Sequence, residues 1–122
     1  MRYAFAAAFV LMGCYTEDNY PDTVAKQSCK RYKECQRADF DNDYTSLGDC
    51  TEETAHDLRD FQDCYIDAGC EYDAEQAKIC SKALRTESCE DWSEGAANND
   101  CDELYNCSDR EYLDVVACLI GF

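Results

Sequence analysis

Apolar residues recur at three- and four-residue intervals in three stretches of this chain, the periodicity of helices with one buried face. Leu58, Phe61 and Tyr65 form one such face, Ala77, Cys80 and Leu84 a second, and Tyr112, Val116, Leu119 and Ile120 a third. Helix starts are signalled by Asp49-x-x-Glu52, Asp73-x-x-Gln76, Asp100-x-x-Glu103 and Ser108-x-x-Glu111, each placing a capping side chain three residues before an acid or amide. Gly69 is a natural helix terminator. The pattern predicts helices over about 22–37, 49–68, 73–87 and 109–120, a short turn near 101–107, and a loop over 88–100. Five glycines, one proline and no Asn-Gly or Asp-Gly pair give no hairpin signal. The expected fold class is all-α: a small helical bundle of four to five short helices.

Composition shows what such a bundle lacks. From residue 14 onward Leu, Ile, Val and Phe make up about 14% of the chain, below the roughly 20% at which a highly charged chain is usually disordered. The same stretch carries all 11 cysteines. A small chain that buries too little apolar area is rescued by cross-links, each stabilising by roughly 2–4 kcal/mol. Persistent disulfides imply an oxidising compartment. The competing reading, thiolate metal sites, lacks its spacing, because no Cys-x-x-Cys occurs and there is one histidine. No metal and no cofactor is implied.

The odd cysteine sits at the N-terminus. Residues 4–12 are an uninterrupted apolar run ending in Gly13-Cys14, too short to span a bilayer but suited to a signal-peptide core. Leu11-Met12-Gly13-Cys14 resembles the lipobox of bacterial lipoproteins. That resemblance implies removal of residues 1–13, acylation of Cys14, and a short polar tether to residue 21, with the domain proper over 22–122. Tyr15 after the cysteine implies sorting to the outer membrane. The competing reading is an ordinary secretory signal followed by an unpaired cysteine.

Removing Cys14 leaves ten cysteines, enough for five disulfides: Cys29, Cys35, Cys50, Cys64, Cys70, Cys80, Cys89, Cys101, Cys107 and Cys118. Cys29 and Cys35, like Cys101 and Cys107, lie six residues apart. On a helix that spacing turns about 600° and rises about 9 Å, leaving the sulfurs about 120° apart. The rise exceeds the ~7 Å Cα separation a disulfide tolerates, so each such pair must reach two different neighbours. Two local pairings are expected, Cys35 with Cys50 and Cys89 with Cys101; the rest are open. With Gly69-Cys70-Glu71-Tyr72-Asp73-Ala74 and Tyr105-Asn106-Cys107, the cysteine pattern over 25–107 resembles small cysteine-rich predicted lipoproteins of myxobacterial type. The resemblance implies an exported, anchored helical domain and no activity. Cys64 and Cys118 depart from its pattern, as candidates for an extra pair.

The formal net charge of −16 argues against nucleic-acid binding. Five of the eleven basic residues nevertheless fall between 26 and 37. Lys26, Lys30, Lys33 and Arg37 lie within about 60° of one another on a helical wheel, opposite Val24, Ser28, Tyr32 and Cys35. They are candidate partner-binding residues, for an acidic partner, anionic headgroups near the anchor, or the chain's own acidic helices; a solvated face is the plainer reading. Trp92 is a candidate aromatic anchor, though burial is its plainer role.

Residues 39–45 imitate the opening of a calcium loop, but Tyr44 and Cys50 stand where glycine and a bidentate glutamate are needed. His56, beside Asp57 and Asp60, has no accompanying nucleophile motif. The expected function is therefore a non-enzymatic, membrane-anchored interaction or structural module of the bacterial envelope. Its partners would be the membrane, through acylated Cys14, and an envelope protein, with no small-molecule substrate indicated. The alternatives are a small inhibitor or hydrolase-like domain and a weak divalent-cation binder.

Overall fold

The computed structural model describes residues 15–95 and 98–121. The expected signal peptide, 1–13, and the lipidation position, Cys14, lie outside the described residues.

The first helix among the described residues, α1 (Tyr20–Cys35), starts with Pro21 in its first turn, where the missing N–H costs nothing. It ends at Gln36, whose φ of −137° and ψ of 57° break the helical path. A short second helix, α2 (Arg37–Asp43), follows, and then α3 (Leu47–Ala68). Residues 38–43 are expected in a connecting segment; the stretch is helical because its one large apolar side chain, Phe40, is buried against Cys29 and Cys50. The cap of α3 is Ser46, whose hydroxyl accepts the Asp49 N–H at 3.0 Å, so Asp49 is the third helical residue and not the cap. Gly69 ends α3 at φ 89°, a left-handed conformation that favours glycine.

Strand β1 (Glu71–Tyr72) leads into α4 (Ala74–Thr86), capped by Asp73 as predicted. The expected loop over 88–100 contains α5 (Cys89–Glu94) and the start of α6 (Asn98–Asp102). Asp100 lies inside α6 and does not cap a helix. Strand β2 (Tyr105–Asn106) pairs antiparallel with β1, and α7 (Asp109–Ile120) closes the chain behind a complete Ser108/Glu111 capping box. Among the described residues there are thus seven helices and not four to five, α2 and α5 being additions within predicted connections. The fold is all-α and disulfide-rich.

The longer helices form a row, α4–α1–α3–α7. Contacts 22 with 59 and 29 with 50 make α1 and α3 antiparallel. Contact 27 with 81 on α4 and, just beyond its end, 35 with 89 run in the same direction, so α1 and α4 are parallel. The main core joins Tyr20 and Val24 of α1 to Ala77, Cys80 and Leu84 of α4 and to Leu104. Leu58 of α3 is half-buried against it, and Phe61 is 49% exposed. On α7 the buried residue is Val115; Tyr112 and Ile120, expected in the core, are exposed. The helix is turned so that Val115 and Cys118 face α3, where Cys118 meets Cys64.

Ten cysteines form five disulfides: Cys29–Cys50, Cys35–Cys89, Cys64–Cys118, Cys70–Cys107 and Cys80–Cys101. The members of the two six-residue pairs do reach different partners. Both favoured local pairings are corrected. Cys35 does not bond Cys50, because α2 and its buried Phe40 carry the chain back and set the start of α3 beside Cys29, about one and two-thirds turns earlier on α1. Cys89 does not bond Cys101, because α5 starts at the end of α1, where Cys35 lies, while α6 brings Cys101 onto Cys80 in the middle of α4.

Candidate functional site: a cationic groove between α1 and α4

One turn after another, α1 presents Thr23, Lys26 with Gln27, Lys30 with Arg31, and Glu34 to the same side, the spacing of a single helix face. Arg85, in the last turn of α4, stands across from them. Together these residues line a groove of about 410 Å³ that holds four bases and one acid. On a chain with a net charge of −16 this is a local inversion of sign. At physiological ionic strength charges are screened over roughly 8 Å, so a ligand in the groove feels its lining more than the distant acids.

The groove has a fixed floor. Ser81 is fully buried, and its hydroxyl donates to Gln27 Oε1 at 2.9 Å, latching α4 to α1. Arg85 Nε donates to the Ser81 carbonyl at 3.4 Å. The Arg31 side chain is only 16% exposed. Its Nη1 donates to Glu34 Oε2 at 2.9 Å and its Nη2 to the backbone carbonyl of Glu87. Both guanidinium groups are therefore held by the fold, while Lys26 and Lys30 are exposed and adjustable.

The structure divides the predicted basic stripe. Lys26 and Lys30 belong to the groove. Lys33 extends over the Phe40 ring, 5.9 Å from its centroid. Arg37 lies beyond the end of α1, on α2, and pairs with Asp41 at 3.2 Å. The break at Gln36 takes Arg37 off the common wheel, while Lys33 stays on α1 and turns its side chain to Phe40. Arg31 and Arg85 were missed as site residues. Arg31 sits a step around the wheel from the stripe, and nothing in the sequence ties Arg85, on another helix, to α1. Trp92 is half-buried in α5, packed against the main core.

The segment resembling a calcium loop is helical to Asp43, which dismantles the loop geometry. Asp41 is engaged by Arg37, and Asp43 accepts the Tyr32 hydroxyl at 2.6 Å. That hydrogen bond pushes the Tyr32 phenol up to about 12. His56 Nδ1 lies 3.4 Å from Asp60 on the exposed outer side of α3, with Asp57 alongside.

A second concavity, of about 430 Å³, opens between α3, β2 and α7. It is lined by Tyr20, Phe61, Tyr65, Tyr105 and Tyr112, and Tyr65 stacks on Tyr105 at 4.8 Å. Burial is the main cause raising the hydroxyl pKa values of Tyr20, to about 12, and of Tyr65, Tyr72 and Tyr105. These phenols stay neutral at physiological pH, so this wall is mainly aromatic, with Asp102 its one charged side chain, where the groove is cationic.

Compared with known proteins, the chain matches no family model, and neither a curated protein nor a solved structure shows significant similarity to it.

Proposed function

We propose that this chain is a lipid-anchored, non-enzymatic interaction module of the bacterial cell envelope, held at the outer membrane through acylated Cys14. The cysteine pairing carries the reading. Ten of the eleven cysteines are consumed in five disulfides, and the one left is the cysteine of Leu-Met-Gly-Cys. Five disulfides call for an oxidising compartment, and export requires a leader such as the apolar run at 4–12. No helix of the described residues is long and apolar enough to cross a membrane. Two or three acyl chains on one cysteine suffice for stable attachment. The resemblance to small cysteine-rich predicted lipoproteins points the same way. The stapled body would then display its surface, the cationic groove included, to an envelope partner.

Intact mass of protein from the membrane fraction, with and without reduction and alkylation, tests this. The expected species lacks residues 1–13, carries acyl mass on Cys14, and yields ten alkylatable thiols only after reduction. A mass that retains Met1, or thiols alkylated before reduction, would overturn it.

A further inference from the structure

We infer that the groove between α1 and α4 binds a phosphate-bearing small anion. The argument starts from the lining's hydrogen-bonding inventory. Lys and Arg offer donors and no acceptor. Gln27 has its amide oxygen accepting from Ser81, which leaves its –NH2 as the donor it has to offer. The one carboxylate, Glu34, is engaged by Arg31. Donors from two helices thus outnumber the lining's acceptors, Glu34 and the Thr23 hydroxyl, and the complementary ligand is rich in acceptors and negative.

Charge and shape narrow the class. With Arg31 paired to Glu34, three uncompensated cations remain around the groove, more than a single carboxylate neutralises. Guanidinium forks match phosphate oxygens, and lysines supply mobile point charges to the same group. Arg85 is tethered through Nε, which leaves its Nη groups without a partner among the described residues. Its cost of ordering on binding is correspondingly low. A volume of about 410 Å³ accommodates a phosphate with a small organic body.

A phosphate monoester in solution and the headgroup of an anionic phospholipid share this chemistry. The proposal rests on the anchored-module reading only for choosing between these two sources. Failure of the mass experiment would leave the groove's binding intact, and failure of binding would leave the anchor standing.

Calorimetric titration of the full chain in neutral detergent, with glycerol 3-phosphate as the probe and acetate as control, tests the inference. Expected is saturable binding of one glycerol 3-phosphate per chain, weakened by salt, with no comparable response to acetate. Lys30→Gln and Arg85→Gln should each weaken binding about tenfold, the order for a charge-assisted hydrogen bond. Both residues are exposed, and unchanged circular dichroism would show that the variants fold. Lys33→Gln, on the Phe40 side, should change affinity by less than about twofold.

The absence of saturable binding would overturn the inference. So would a loss in Lys33→Gln equal to that in Arg85→Gln, since binding would then follow overall charge and not the groove. Repeating the titration in vesicles separates the sources. Weaker glycerol 3-phosphate binding in phosphatidylglycerol vesicles than in phosphatidylcholine vesicles means that the lipid headgroup already fills the groove. Equal binding in the two supports a soluble phosphate ester.

Discussion

Around α1, burial is continuous: Tyr20, Val24, Ala25 and Cys29 are all at least nine-tenths buried on one helix, facing α3 on one side and α4 on the other. On α7 the only residue buried to that degree is Val115, and Leu113 and Ile120 are 67% and 78% exposed. Both regions have good local helix signals, so the contrast lies in tertiary contact. The helices around α1 share a main core and a satellite core, whereas α7 joins neither and is held to α3 around one buried side chain, Val115, and the Cys64–Cys118 bridge. Where apolar area suffices, a disulfide adds to packing; where it does not, the disulfide replaces it.

Alkali should break this contrast most strongly, because it attacks the thick side. In the unfolded chain tyrosine loses its proton near pH 10, while Tyr20 in the fold holds it to about 12 and burial also raises Tyr65, Tyr72 and Tyr105. Between those values the folded state binds more protons than the unfolded one, so stability falls as pH rises. It is fully present below about pH 10 and is lost toward pH 12 and above. Denaturation midpoints measured against pH should be flat to about 10 and then decline, reversibly, with a shallower decline in Tyr20→Phe. A flat curve to pH 12 would remove the buried phenols from the account.

The next largest effect should come from Cys64→Ala with Cys118→Ala. With Cys70–Cys107 intact the Cys64–Cys118 bridge closes a path of about 17 residues, worth about 3 kcal/mol in the chain-entropy account. Amide exchange should then show α7 losing protection while α1 and α3 keep theirs. Equal loss in α1 would mean that α7 is no separate unit. The smallest effect is expected from Ser108→Ala, which removes the capping box: about 1 kcal/mol, read as a lowered melting temperature with faster exchange confined to α7. A larger or more widespread loss would show that the cap does more than hold its own helix.

How much of this was legible follows the same divide. The α4 face of Ala77, Cys80 and Leu84, the Asp73 and Ser108 caps, and the turn at Gly69 are local matters, and each was readable from residues within a few positions. The α7 face was misjudged because helical spacing fixes which residues share a face but not which face a neighbour covers. Tyr112, Leu113, Val115 and Val116 offered several apolar stripes, and the Cys64–Cys118 bridge selected the one through Val115. The disulfide pairs were hidden because α2 looked like a loop: one phenylalanine and one alanine among five polar residues give no periodicity, yet the burial of Phe40 redirects the chain. The groove was half legible. Lys26 and Lys30 come from one helix, but Arg85 meets them only through the packing of α4.

The order of the five bridges along the chain has a consequence for how the protein is made. Cys80–Cys101 lies inside Cys70–Cys107, which lies inside Cys64–Cys118, so these three close like nested brackets, each shortening the span left for the next. Cys29–Cys50 closes a separate bracket earlier in the chain. Cys35–Cys89 is the bridge that crosses all the others and, among the described residues, alone ties the two sets together. During oxidation Cys35 must pass over the nearer thiols of Cys50, Cys64, Cys70 and Cys80 before it meets Cys89. Cys89 is also exposed, so the step most open to mispairing is the one that a thiol-exchange catalyst can reach and correct.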